Sequence, residues 1–198
     1  MSAELRFNII FVGYSKFLFK MAQITVLDKT FESYISHDQI DQAIQRIASN
    51  LEKDLAEENP LFLVILNGAF MFAGDLFKKL TFPAEISFIK FASYDGTQSS
   101  GEVRQLIGLD ENIEGRSVVL VEDIVDTGIS MEKVLEYLTT KKPKEVRIAT
   151  LLFKPKSYQK HFKIDYTGLE IPNDFIIGFG LDYNGQARNL KDIYKIVQ

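Results

Sequence analysis

Residues 117–130 read SVVLVEDIVDTGIS and gather several chemically useful side chains into one short run. Residues 117–121, apolar from Val118 onward, have the pattern of a strand buried on both faces. Glu122 and Asp123 then supply two adjacent carboxylates, and Asp126, Thr127, Gly128, Ile129 and Ser130 stand where a helix would open. A helix N-terminus presents unpaired N–H groups and a partial positive charge, which together hold a phosphate. Gly128 lets the backbone approach closely, and the hydroxyls of Thr127 and Ser130 add donors. The acid pair suits sugar hydroxyls or a divalent cation. A phosphate and a ribose can therefore be held side by side. A Walker loop would need G-x-x-x-x-G-K-[ST], which is absent. Asp126 or Thr127 alone would be no more than a helix cap; the whole run after an apolar strand argues for a site.

The elements that must carry this loop can be read from periodicity. Ile40, Ile44, Ile47, Leu51 and Leu55 mark one face of a helix over residues 36–55, and Ser36 with Gln39 offers a capping box at its start. Asn59 and Pro60 end it, and residues 61–66 form a continuous apolar run, again a doubly buried strand. Gly68 separates that strand from an apolar helix over 70–80, and a strand is expected over 84–91. Residues 93–104 are polar, contain Gly96 and Gly101 and lack apolar periodicity, as a loop would. A turn over 123–128 leads to a helix marked by Met131, Val134, Leu135 and Leu138, then a strand over 146–153 and a short one over 175–178. Strand, turn, helix and strand at this spacing predict an α/β fold with a central, mainly parallel sheet flanked by helices. With no repeat or linker, residues 21–198 read as one domain. Residues 1–20 hold two short apolar stretches, 7–12 and 17–19, too short for a signal peptide or a membrane span. They read as an extension ahead of the domain, or as a start codon placed too far upstream.

Composition narrows the classes further. The chain has 198 residues, 46% hydrophobic and 25% charged, as an ordinary globular protein does. It contains no cysteine, which excludes disulfides and thiolate metal sites and suits a cytoplasmic location. His37 and His161 are far apart, in no ligand spacing. A net charge of −4 argues against a nucleic-acid partner, and no membrane association is expected. An acidic protein that handles phosphates must concentrate local positive groups or carry a divalent cation.

The run VEDIVDTG (121–128) resembles the phosphoribosyl-pyrophosphate signature of the hypoxanthine (hypoxanthine-guanine) phosphoribosyltransferases, within the type I phosphoribosyltransferases. Other blocks resemble the same family in the family's order. LNGAFMFAGDL (66–76) is similar to its pyrophosphate loop, and Ser93, Tyr94 and SSGEV (99–103) to its closing lid. LLFK (151–154) and IPNDF (171–175) resemble its base-recognition elements, and DYN (182–184) with Arg188 its C-terminal metal and pyrophosphate site. The resemblance implies a hood formed by terminal segments over the sheet. It also implies purine salvage: transfer of phosphoribose from phosphoribosyl pyrophosphate to N9 of hypoxanthine or guanine, with Mg²⁺ as cofactor and a homodimer or homotetramer as the assembly.

The roles it implies fall on named residues. Asp126 would be the general base facing N7 of the purine. Glu122 and Asp123 would hold the ribose hydroxyls and Mg²⁺, and residues 127–130 the 5′-phosphate. Many relatives carry lysine where this chain has Ile129, so no side-chain role passes to it. Leu66, Asn67 and Gly68 would bind pyrophosphate through the backbone, in an unusual peptide conformation, with Arg188 as the leaving group's cation and Asp182 as a second metal ligand. Lys154 would donate to O6 of a 6-oxopurine, Phe175 would stack on the base, and Ile176 would add backbone contacts. Two alternatives share the fold: an enzyme preferring xanthine, and a regulator that senses phosphoribosyl pyrophosphate without turnover. Adenine specificity conflicts with Lys154. A dinucleotide binder conflicts with the absence of G-x-G-x-x-G, since Tyr183 stands where a third glycine would follow Gly178 and Gly180.

Overall fold

The chain opens with β1 (Arg6–Ile9), β2 (Ala22–Val26) and β3 (Lys29–Ile35), then enters α1 (His37–Leu55). β4 (Leu61–Ile65), α2 (Phe70–Phe77), β5 (Glu85–Ala92) and β6 (Arg104–Ile107) follow. Next come β7 (Ser117–Val125), α3 (Ile129–Thr139), β8 (Glu145–Phe153), β9 (Tyr166–Glu170), β10 (Ile176–Ile177) and β11 (Ile193–Ile196). These assignments come from a computed structural model that describes residues 6–9, 22–92 and 104–197. The chain divides into two compact units, Asp41–Asn173 and the two ends together, Met1–Ile40 with Asp174–Gln198.

The larger unit is built on a sheet in the order β6-β5-β4-β7-β8-β9. β5, β4, β7, β8 and β9 are mutually parallel, and β6 closes one edge antiparallel to β5. Leu61, Phe62, Leu63 and Val64 of β4 and Val118 to Val121 of β7 are all essentially inaccessible, which is why these strands read as unbroken apolar runs. Ala43, Ile44, Ile47, Ala48, Leu51 and Leu55 form the buried stripe of α1. The predicted capping box closes that helix: the Ser36 N–H donates to Gln39 Oε1 (3.0 Å), and the Gln39 N–H to Ser36 Oγ (3.4 Å).

Because the central strands run parallel, their carboxyl ends share one edge, and the segments after β4, β7 and β8 emerge there together. The strand beginnings are tied down by polar contacts. Ser117 Oγ donates to Glu58 (2.6 Å), Lys144 Nζ pairs with the same carboxylate (2.6 Å), and Arg147 bridges Glu145 and Asp54.

The second unit is an antiparallel sheet in the order β1-β2-β3-β11-β10, made from both chain ends. Its core holds Ile24, Val26, Phe31, Ile177, Ala187, Leu190 and Tyr194. This is the hood of terminal segments that accompanies the α/β sheet.

Several boundaries differ from the sequence reading. β7 continues through Val125, because β8 is long enough to pair with it as far as Val125 opposite Phe153, so Glu122 and Asp123 sit within the strand. α2 stops at Phe77. The strand expected over 175–178 is the two-residue β10, paired antiparallel with β11 in the terminal sheet. The lid candidates Ser93 and Tyr94 lie outside the described residues.

Candidate active site

β7 and α3 build the candidate phosphate loop between them. Gly128 is the residue before α3 and takes φ 82°, a left-handed conformation natural to glycine. A Cβ there would also meet Tyr158 Cε2 at 2.7 Å and Lys160 Cγ at 2.9 Å. No side chain caps the helix start, and only a long 3.4 Å contact joins the Ile129 N–H to Thr127 Oγ1. The first N–H groups of α3 therefore face a cavity of about 110 Å³ lined by Glu122, Asp126, Thr127, Gly128, Ser130 and Met131. Ile129 points its side chain outward and is half exposed.

Beside this cavity the acid pair is crowded. Asp123 is buried, and its Oδ1 accepts from the Ile124 N–H at 2.8 Å. Burial, and then the adjacent Asp123 carboxylate, push the Glu122 carboxyl well above the usual carboxylate range. The turn after β4 closes against this pair. The Leu66–Asn67 peptide is cis, and a Cβ on Gly68 would fall 1.6 Å from Asp123 Oδ2. The candidate pyrophosphate loop and the candidate ribose acids are thus in direct contact.

The end of β8 adds Lys154. Its N–H donates to the Val125 carbonyl (3.0 Å), which fixes its place beside the loop after β7. The side chain is buried, and its ammonium donates to Asp126 Oδ2 at 3.0 Å. The chain after Lys154 then folds back on the phosphate loop, where the Gln159 N–H donates to the Thr127 carbonyl (3.1 Å) and Lys160 Nζ pairs with Glu132 of α3 (2.5 Å). Sequence reasoning did not single out Tyr158, Lys160 or Glu132. No periodicity or motif marks 158–160, and only the loop's fold brings them to Gly128.

The remaining candidates belong to the terminal unit. Phe175 is 45% exposed and is held in a three-ring cluster with Phe31 (6.3 Å) and Tyr183 (5.9 Å between centroids). The Tyr183 hydroxyl donates to Asp28 (2.8 Å), a support the sequence did not reveal. Ile176 is buried, in register with Lys195. Arg188 pairs with Asp182 (2.6 Å) and donates to the Gly180 carbonyl (2.7 Å), while the other Asp182 oxygen accepts from the Gly185 N–H. Asp182 therefore also serves as a turn aspartate.

A phosphoribosyl transferase domain matches residues 32–184. The hypoxanthine-guanine phosphoribosyltransferase of Streptococcus pyogenes is 40% identical over 156 residues, covering 78% of this chain and 87% of that protein. The chain belongs to the hypoxanthine-guanine phosphoribosyltransferase family. The Bacillus subtilis member is 36% identical, with 79% of this chain and 87% of that protein covered. Among solved structures, the Bacillus anthracis enzyme with a HEPES molecule in its active site superposes with a TM-score of 0.78 at 33% identity, covering 84% of this chain and 96% of that one. The hypoxanthine phosphoribosyl transferase of Trypanosoma cruzi gives 0.79 at 31% identity, over 87% and 94%. As in this family, the protein is a phosphoribosyltransferase, with the α/β sheet and terminal hood described above. No helix among the described residues is long and apolar enough to cross a membrane.

Proposed function

We propose that this protein transfers the 5-phosphoribosyl group from phosphoribosyl pyrophosphate to N9 of hypoxanthine and guanine, giving IMP or GMP and pyrophosphate in purine salvage. The observation that carries the reading is the 3.0 Å pairing of Lys154 with Asp126 beside the phosphate cavity. A 6-oxopurine presents the O6 acceptor and N7 next to each other on one edge. A donor and an acceptor held together match O6 and a protonated N7. Adenine offers an amino donor where Lys154 needs an acceptor.

In this assignment the N–H groups at the start of α3, with Thr127 and Ser130, hold the 5′-phosphate. Glu122 and Asp123 accept from the ribose hydroxyls. Leu66, Asn67 and Gly68 present backbone groups to the pyrophosphate, and Arg188 binds its oxygens. Lys154 fixes the base through O6, Phe175 stacks on its face, and Ile176 contributes main-chain contacts. As N9 attacks C1 of the ribose and the C1–O bond to pyrophosphate breaks, the proton on N7 passes to Asp126. Preorganised charge then serves a cationic sugar and an anionic leaving group together. The segment around Ser93 and Tyr94 is assigned as the lid that excludes water from that sugar.

The acid pair fits Mg²⁺. This ion takes one or two carboxylates and completes its shell with water and substrate phosphate, so the lack of a larger acidic cluster among the described residues suits it. The crowding that raises Glu122 is also what a divalent cation relieves. Glu122 and Asp123 would hold one ion and Asp182 a second; when bound, Mg²⁺ neutralises charge on the pyrophosphate. We further assign residues 21–198 as the catalytic domain, the cytoplasm as its location, and a homodimer or homotetramer as its assembly.

Base competition tests the assignment of Lys154. In Lys154→Ala, the preference for hypoxanthine over adenine is expected to fall by about tenfold or more, as when a base-reading hydrogen bond is lost. An unchanged preference would remove Lys154 from base recognition.

A further inference from the structure

We propose that Lys160 is the side-chain cation of the 5′-phosphate subsite, parked on Glu132 in the free protein and moving to the phosphate when substrate binds. The inference rests on the assignment of residues 127–130 as the phosphate cradle and adds to it a residue from outside the loop.

Three observations place Lys160 there. Its side chain lies against the loop beside Tyr158, since a Cβ on Gly128 would come within 2.9 Å of Lys160 Cγ. Its backbone neighbour is tied to the same loop by the 3.1 Å hydrogen bond from the Gln159 N–H to the Thr127 carbonyl. Its ammonium reaches the first turn of α3, where it pairs with Glu132 at 2.5 Å. One flexible stem thus links the glycine of the cradle to the helix turn that opens above it.

Charge supplies the reason for a cation at this place. A phosphate monoester carries about −1.5 to −2 near neutral pH, while a helix N-terminus offers only roughly half a positive charge. Among the described residues, the side chains lining the cavity include two carboxylates, Glu122 and Asp126, and no lysine or arginine. Ile129, the first residue of α3, is apolar. Lys154 is already paired with Asp126. Glu132 adds a further negative charge in the turn that a phosphate must approach. Lys160 neutralises that charge while the site is open, and its exchange onto a phosphate gives up the Glu132 pair for a stronger attraction to a group of higher charge.

The ion pair is suited to exchange. Both partners keep contact with solvent, at 24% and 41% side-chain exposure, and such pairs contribute little to stability. Nor is the pair required to hold the segment in place. The Tyr158 ring packs edge-on against Phe153 (5.3 Å) and Phe162 (5.5 Å), its hydroxyl donates to the Phe162 carbonyl (2.6 Å), and its N–H donates to the Lys154 carbonyl (3.2 Å).

Calorimetric or competitive binding of IMP and of inosine, which lacks the phosphate, to the full-length protein tests this. Lys160→Met is expected to weaken IMP by about tenfold, the worth of one charge-assisted hydrogen bond, with inosine unchanged. Lys160→Arg, which keeps the charge, is expected to stay within about threefold of the parent. Ser130→Ala serves as the control on the cradle itself. If Ser130→Ala weakens IMP and Lys160→Met does not, the cradle stands and the inference falls. If neither weakens it, the cradle assignment falls and the inference with it. Equal weakening of IMP and inosine by Lys160→Met would reveal a structural role and also overturn it. Should Lys160→Met fail to fold, Glu132→Gln decides: it is expected to tighten IMP by about threefold by removing the competing carboxylate, and an unchanged or weaker affinity would refute the exchange.

Discussion

Gly68 carries no side chain because Asp123 occupies the space one would need. A methyl group there would lie 1.6 Å from the Asp123 carboxylate, and Asp123 is held in place by the Ile124 N–H. Gly68→Ala should therefore displace the carboxylate, and kcat/KM for phosphoribosyl pyrophosphate is expected to fall by about 10²-fold, the usual effect of moving a positioned group by an ångström. Steady-state kinetics with that substrate varied would show it, and near-parental kinetics would separate the two loops functionally. Asp126 makes a different demand. Its replacement by Asn keeps the shape but not the ability to take a proton, so kcat is expected to drop by on the order of 10²-fold or more, with far less change in phosphoribosyl-pyrophosphate affinity. Loss of affinity with kcat preserved would make Asp126 a binding residue. The sequence exposed both residues through their local runs. It did not expose the 3.0 Å pairing of Asp126 with Lys154, because the two are 28 residues apart and meet only where β7 and β8 pair. The same is true of Lys160, which borders the loop only after the chain turns back on itself.

The sheet is held at its two edges by different means. At the site edge, turns leave backbone donors open; at the other edge, side chains tie α1 to the strand beginnings. Tyr166 illustrates the second. Its hydroxyl donates to Asp54 (3.0 Å) and accepts from Arg147 (2.9 Å), and burial is the main cause that pushes its phenol from 10.0 up to about 12. A raised acid pKa means that the folded state favours the protonated form. Its contribution is complete below pH 10.0 and is lost as pH rises through about 12. Urea unfolding across that window is expected to show a steeper alkaline loss of stability in the parent than in Tyr166→Phe; parallel curves would mean that Tyr166 titrates normally. Elements of this sheet were legible because a parallel strand buried on both faces must be apolar throughout, as Leu61 to Val64 are, and because α1 carries both its stripe and its cap in the sequence. The end of β7 was misplaced for the converse reason. Glu122 and Asp123 look like loop residues, yet pairing with β8 keeps them in the strand.

At the scale of the whole molecule, the hood of terminal segments was implied by the family resemblance, and the pairing within its sheet was what local patterns concealed. Its strands β3 and β11 are only partly buried, and their pairing joins Ile35 to Ile193, from opposite ends of the chain. No local pattern announces such a partner. The function was legible all the same, because the groups proposed for it lie in short stretches that can be read without knowledge of the fold: the acid pair and helix start at 122–130, Leu66 to Gly68, Lys154, and Asp182 with Arg188. The central claim is that these blocks together transfer phosphoribose to 6-oxopurines. Its most direct test is incubation of the purified full-length protein with phosphoribosyl pyrophosphate, Mg²⁺ and each purine base in turn, with the nucleotide products identified by mass. IMP from hypoxanthine and GMP from guanine, with no AMP from adenine, is the predicted outcome. No nucleotide from either 6-oxopurine would contradict it.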